Sequence, residues 1–113
     1  MGSQSREFIT PGIDKRQHRR VRLITEVKCE PMNRNEILVT RDVSVGGMFL
    51  NTKTPLPLNS PVTLAFTLAS GMPPISCKGR VVYSMQGMGM GVEFADVNED
   101  NRRSLEKFVD EAN

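Results

Sequence analysis

From Val21 onward, apolar and polar residues alternate along the chain, which is the pattern of half-buried β-strands. In the first run the apolar phase comprises Val21, Leu23, Val27 and Cys29, and the charged phase comprises Arg22, Glu26, Lys28 and Glu30. Five further runs lie at residues 37–43, 48–51, 62–68, 75–84 and 88–94, separated by segments rich in Gly, Pro, Asn and Ser. Six short strands at this spacing predict a mostly β protein, a six-stranded antiparallel β-barrel.

The last part of the chain changes to helical spacing. Its apolar positions at i, i+3, i+4 and i+7 are Leu105, Phe108, Val109 and Ala112. Asp96 followed three residues later by Glu99 resembles a capping box, so we expect a C-terminal α-helix over about 98–111. The whole pattern predicts a single domain over residues 14–113 that follows a flexible N-terminal arm over residues 1–13.

Length and charge narrow the possible functions. A chain of 113 residues can bury one core. Its net charge of +2 conceals a gradient, because residues 1–22 carry six Lys or Arg against two acids and residues 93–113 carry seven acids against three bases. Positive charge near the N-terminus indicates an anionic partner there.

Neither metal binding nor catalysis is expected from the reactive side chains. Cys29 and Cys77 lack the spacing of a zinc site, so we expect two buried free thiols in a reducing compartment. His18 is the only histidine, and no nucleophile is paired with it, so we expect no enzyme, no cofactor and no metal. The sequence also lacks a long apolar run and a signal-peptide pattern, which predicts a cytoplasmic protein without membrane contact.

Two stretches carry candidate binding chemistry. The first, "DKRQHRRVRL" at residues 14–23, places five cations within eight positions directly before the first strand. The second, "RDVSVGG" at residues 41–47, puts Asp42 and Ser44 on one face at the end of a strand. We expect the following glycines to turn through positive φ and to leave a polar ledge of one carboxylate, one hydroxyl and exposed backbone amides.

A guanine nucleotide would suit both stretches. The Watson–Crick edge of guanine presents two parallel N–H donors that Asp42 could accept, and its other edge presents O6 and N7, which match an arginine fork. Phosphate groups would take the remaining guanidinium groups, a geometry for which Arg is better suited than Lys. One nucleotide could therefore use both stretches.

These stretches resemble the motifs of a known family. "RQHRR" at residues 16–20 resembles the RxxxR motif of PilZ domains, and "DVSVGG" at residues 42–47 resembles their (D/N)xSxxG motif. The likeness extends to "GRVVYS" and "GMGVEF", so it covers nearly the whole chain from Asp14. The resemblance implies a six-stranded barrel that binds the bacterial second messenger cyclic di-GMP and has no catalytic activity.

The resemblance also implies roles for individual residues. Arg16 and Arg20 would grip phosphate and the O6/N7 edge of guanine, and would stack on bases. Asp42 would accept a guanine edge or hold an arginine, Ser44 would hydrogen-bond the ligand, and Gly47 would keep the turn open. Secondary ligand contacts are expected from Lys15, Arg19 and Gly46.

Two positions beside the arginines bear on how the ligand binds. Arg19 stands where the family often has Pro, which adds flexibility and another cation. The resemblance suggests that the position of Lys15 influences whether one dinucleotide binds or two stack together, and a cation should tolerate two. We expect the bound nucleotide to order the N-terminal arm on the barrel and to create a surface that a partner protein reads in trans.

Two other functions stay open from the sequence. A small barrel with a basic N-terminus could bind single-stranded nucleic acid, but such proteins normally expose several aromatic platforms, and here Tyr83 is expected to be a mostly buried strand aromatic. A barrel that binds no ligand could act as a protein-interaction module through its acidic helix or its Met-rich strand.

Overall fold

The computed structural model describes residues 19–31 and 38–112. The predicted arm over residues 1–13 and the candidate residues Lys15 and Arg16 lie outside these ranges, as does His18. Within the described ranges the chain forms seven strands and one helix: β1 (Val21–Arg22), β2 (Glu26–Glu30), β3 (Leu38–Val43), β4 (Gly47–Asn51), β5 (Pro61–Phe66), β6 (Ile75–Met85), β7 (Gly89–Asp96) and α1 (Glu99–Glu111).

Six of these strands form a closed antiparallel barrel. Their order around the barrel is β3-β2-β5-β6-β7-β4, and β4 pairs back with β3 to complete the ring. β1 also pairs with β3, in continuation of β2, so β1 and β2 are the two halves of the first predicted strand. The prediction of a six-stranded β-barrel with a C-terminal helix is confirmed.

The side chain of Thr40 bridges the break between β1 and β2. Its hydroxyl donates to the carbonyl oxygen of Leu23 at 2.5 Å and accepts from the backbone N–H of Thr25 at 3.0 Å. Thr40 is buried, and backbone groups removed from water need such partners. These bonds help to hold β1 in the register that sets Arg22 opposite Asp42.

The core fills the inside of the barrel. Alternate residues of β5 point inward as the period-two pattern predicts, so that Val62, Leu64 and Phe66 are buried. The helix adds Leu105 and Val109 to the same apolar cluster. Because the interior is packed with apolar side chains, the polar chemistry of the chain is left to the outer face and the loops.

The helix begins later than its predicted cap. Asn98 is the N-cap, and its side-chain oxygen accepts a backbone N–H from the first turn at 2.8 Å. The predicted cap at Asp96 is wrong because Asp96 still pairs with Lys78 in the sheet, and Glu99 is the first helical residue. Ala112 is exposed at the C-cap, so it does not extend the apolar stripe. No helix in the described ranges is long and apolar enough to cross a membrane.

The two cysteines are buried free thiols, as predicted. Burial raises the pKa of Cys29 to about 11, and the negative charge of Glu30 acts in the same direction. Burial likewise raises the pKa of Cys77 to about 11, with Asp96 adding to the effect. Both thiols are therefore protonated and unreactive near neutral pH. In the described part of the chain no group of three His, Cys, Asp or Glu side chains could hold a metal ion.

Candidate functional site

Two β-bulges turn outward two side chains that strict alternation would place inside the barrel. On β3 the pairing with β4 shifts by one residue between Thr40 and Asp42, and on β6 the pairing with β7 shifts between Val81 and Tyr83. An extra residue in one strand inverts the alternation that follows it. Tyr83 is consequently 37% exposed, and the prediction that it is mostly buried is wrong.

The two side chains that the bulges turn outward are those of Asp42 and Tyr83. Both residues belong to one row of paired residues that crosses four strands on the outer face. Backbone pairing sets Asp42 opposite Phe49, Phe49 opposite Gly91, and Gly91 opposite Tyr83. Directly paired residues of antiparallel strands present their side chains on the same face. The backbone positions at its two ends, Asp42 and Tyr83, are therefore about 14 Å apart, which is three strand spacings.

Gly91 and Phe49, in the middle of the row, determine how the side chains at its two ends are placed. A Cβ atom on Gly91 would lie 2.3 Å from the Tyr83 ring, so only glycine leaves room for that ring over β7. The rings of Tyr83 and Phe49 stack, with centroids 6.0 Å apart and planes inclined by 29°. Phe49 is only 1% exposed although it lies outside the interior cluster. It is a buried support for the side chains that cover it on the outer face.

Two arginines hold the carboxylate of Asp42, one on each oxygen. Nη1 of Arg20 donates to Oδ1, and Nε of Arg41 donates to Oδ2 at 2.9 Å. Arg22 lies directly opposite Asp42 on the neighbouring strand. Three cations around one carboxylate leave an excess of positive charge, which favours an anionic ligand. The contact between Arg20 and Asp42 brings the end of the first stretch against the second, and Arg16, the other arginine of the predicted clamp, lies outside the described residues.

Ser44 shapes the loop that follows β3. It is 3% exposed, and its Oγ accepts from the backbone N–H groups of Gly46 and Gly47, each at 3.1 Å. The predicted ledge of exposed hydroxyl and amides is therefore wrong, because these groups satisfy one another. Neither glycine has the expected positive φ. A Cβ atom on Gly47 would lie 2.2 Å from the carbonyl oxygen of Val92, so glycine is needed there for close approach of β4 to β7.

Arg19 contacts the helix rather than Asp42. Its Nη2 donates to the carbonyl oxygen of Val109 near the end of α1. The last turn of α1 contains no basic residue of its own, and helix C-termini favour nearby positive charge. The adjacent residues Arg19 and Arg20 thus bind the segment before β1 to α1 and to β3, respectively.

Arg41 and Phe49 also belong to this site, although no pattern in the sequence singles them out. The guanidinium carbon of Arg41 lies 3.9 Å from the centroid of the Phe49 ring, which is a cation–π contact. Arg41 is recognisable only as the residue before the (D/N)xSxxG-like stretch. Phe49 stands between the apolar residues Met48 and Leu50, so alternation cannot reveal that its ring faces outward.

Comparisons with known proteins agree with this fold. The family model for the PilZ domain matches residues 14–111. No curated protein matches the sequence. Similar solved structures include the Bacillus subtilis inhibitor of motility (MotI/DgrA), with a TM-score of 0.76 and 15% identity, and the PilZ domain of CeSA from a cellulose-synthesizing bacterium, with a TM-score of 0.55 and 19% identity.

The two similar structures differ in how much of their length the chain matches. The match to the inhibitor of motility covers 86% of this chain and 50% of that chain, so the present chain spans half of its length. The match to the CeSA domain covers 80% of this chain and 94% of that chain. At these identities the likeness shows a shared fold.

Proposed function

The chain belongs to the PilZ domain family, and from that premise we propose that it is a cyclic di-GMP receptor whose ligand binds on the outer face of the barrel beside Asp42. The ion pair between Arg20 and Asp42 carries this proposal, because it joins the RxxxR-like stretch to the (D/N)xSxxG-like stretch at one surface. PilZ domains are binding modules rather than enzymes, so the site is expected to bind its ligand unchanged.

The charge around Asp42 suits the phosphates of this ligand. Cyclic di-GMP carries two negative charges, and Arg20, Arg22 and Arg41 together outweigh the one carboxylate. Guanidinium groups bind phosphate in a forked geometry that adds direction to attraction. We expect Arg20 to contact a phosphate at the Asp42 end of the row. We expect one of the two guanines to stack on Tyr83 at the other end.

The contacts of Asp42 support one of its two possible roles. Both carboxylate oxygens already accept from arginine side chains, and the side chain of Asp42 is 17% exposed. A guanine edge would have to compete with these arginines for a carboxylate that is largely covered already. We therefore propose that Asp42 holds Arg20 in position for the ligand rather than reading the guanine edge.

The remaining candidate residues are assigned supporting roles in the same proposal. Ser44, Gly46 and Gly47 fix the loop after β3 and thereby the end of the strand that carries Asp42. Lys15 and Arg16 would close over the ligand as the N-terminal arm orders. Release of Arg19 from Val109 during this ordering would alter the surface near α1, where a partner protein could read the change in trans.

A calorimetric titration at matched salt tests the function. The ligands are cyclic di-GMP, GMP and a short single-stranded oligonucleotide. We expect cyclic di-GMP to bind more tightly than GMP, because only the dinucleotide reaches both ends of the row, and the fitted stoichiometry separates one bound nucleotide from two. Binding of the oligonucleotide alone would contradict the proposal and favour a nucleic-acid-binding barrel.

A further inference from the structure

Arg41 is held in place by two different groups on the outer face. The Phe49 ring lies under its guanidinium at 3.9 Å, and Oδ2 of Asp42 accepts from its Nε at 2.9 Å. The contact with the ring restrains the position of the guanidinium, and the hydrogen bond restrains its rotation. A long side chain that is already ordered loses less conformational entropy when a ligand binds to it.

The side of Arg41 away from Phe49 is open to solvent. Its side chain is 53% exposed, whereas the Phe49 ring beneath it is almost fully buried. The ring therefore cannot reach a ligand itself, but it supports a group that can. Guanidinium is planar and weakly hydrated, and nucleic-acid bases stack readily on such a plane.

We infer that Arg41 is a base-stacking residue of the proposed site, where one guanine lies on the guanidinium plane that Phe49 and Asp42 hold. The inference rests on the proposed function, since it concerns the same ligand. It assigns a surface to the base at the Asp42 end of the row, while Tyr83 serves the base at the other end. A simpler role, in which Arg41 only shields Phe49 from water, would require neither the planar group nor its charge.

The test compares two replacements of Arg41 by calorimetric titration with cyclic di-GMP. Arg41→Lys keeps the positive charge and removes the plane, and Arg41→Met keeps an apolar cover over Phe49 and removes both. Loss of one stacked base predicts roughly tenfold weaker binding in each variant. The control is Arg103→Ala, which removes an exposed arginine that pairs with Glu99 on α1, and its affinity should equal that of the wild type.

Thermal unfolding and near-ultraviolet circular dichroism of the bound guanine complete the test. A stacking role predicts weaker binding and an altered guanine signal while the melting temperatures stay close to that of the wild type. Full affinity in Arg41→Lys would overturn the inference, because charge alone would then suffice, and full affinity in both variants would overturn it equally. If the wild type itself does not bind, the proposed function fails and the inference fails with it.

Discussion

Asp42 and Tyr83 lie at opposite ends of one cross-strand row on the outside of the barrel, and each directly follows a β-bulge. Without the two extra residues, alternation would direct both side chains into the apolar interior. Bulges are common beside binding sites because they re-aim a side chain without altering the rest of the sheet. The outer face thus acquires a carboxylate and an aromatic ring from two local irregularities in the strand pairing.

Tyr83 should report ligand binding through its fluorescence. The sequence contains one tyrosine and no tryptophan, so the intrinsic emission comes from this side chain. Stacking of a guanine on the ring should quench the emission as cyclic di-GMP is added, and Tyr83→Ala should weaken binding by about 1–3 kcal/mol. N-acetyltyrosinamide with the same nucleotide concentrations corrects for light absorbed by guanine. Emission that stays unchanged after this correction, at saturating nucleotide, would show that the base stacks elsewhere.

Thr40 should be important for stability although it touches no ligand in the proposed site. Thr40→Val leaves the Leu23 carbonyl and the Thr25 amide without their side-chain partner. We expect the free energy of unfolding, measured by urea denaturation, to fall by about 1–3 kcal/mol. The matched control is Thr63→Val, at an exposed position of β5, for which a change within about 0.5 kcal/mol is expected. Equal losses in the two variants would refute the bridging role of Thr40.

The two buried thiols predict a loss of stability at alkaline pH. In the folded protein the pKa of Cys29 and of Cys77 is raised from 9.0 to about 11, so between these values the unfolded chain binds fewer protons than the folded one. The stabilisation is complete below pH 9 and is lost as the pH rises towards about 11. Urea denaturation across this range should show a steeper decline for the wild type than for the Cys29→Ala/Cys77→Ala variant. Parallel declines would contradict the assigned shifts.

The regular part of the barrel could be predicted from the sequence because each strand must hide one face from water. Val62, Leu64 and Phe66 follow this rule and are buried. The bulge before Tyr83 could not be predicted, because a strand with one extra residue has the same kinds of residues and the same β-propensity as a strand without it. The helix cap presented a similar ambiguity: Asp96 and Asn98 are both good cap residues, and the pairing of Asp96 within the sheet decides between them.

Only part of the candidate site could be predicted, because residue type and spacing identify some of its residues while strand pairing decides others. The two stretches identify Arg20 and Asp42 by residue type and spacing, and the structure brings these two side chains together. The contact of Arg41 with Phe49 depends on how β3 pairs with β4, which local sequence does not specify. A serine after a strand can serve a ligand or the amides of its own loop, and for Ser44 the geometry favours the loop.

The central claim is that Arg20 and Asp42 form the anchoring end of a cyclic di-GMP site, and calorimetric titration of Arg20→Ala and Asp42→Ala tests it most directly. Each lost charged hydrogen bond should cost about 1.5–3 kcal/mol, so we expect Arg20→Ala to lose most of its affinity and Asp42→Ala to bind more weakly while its melting temperature stays near that of the wild type. The control, Arg102→Ala, removes an arginine on α1 that pairs with Glu106, and it should bind as the wild type does. Wild-type affinity in Arg20→Ala would contradict the claim.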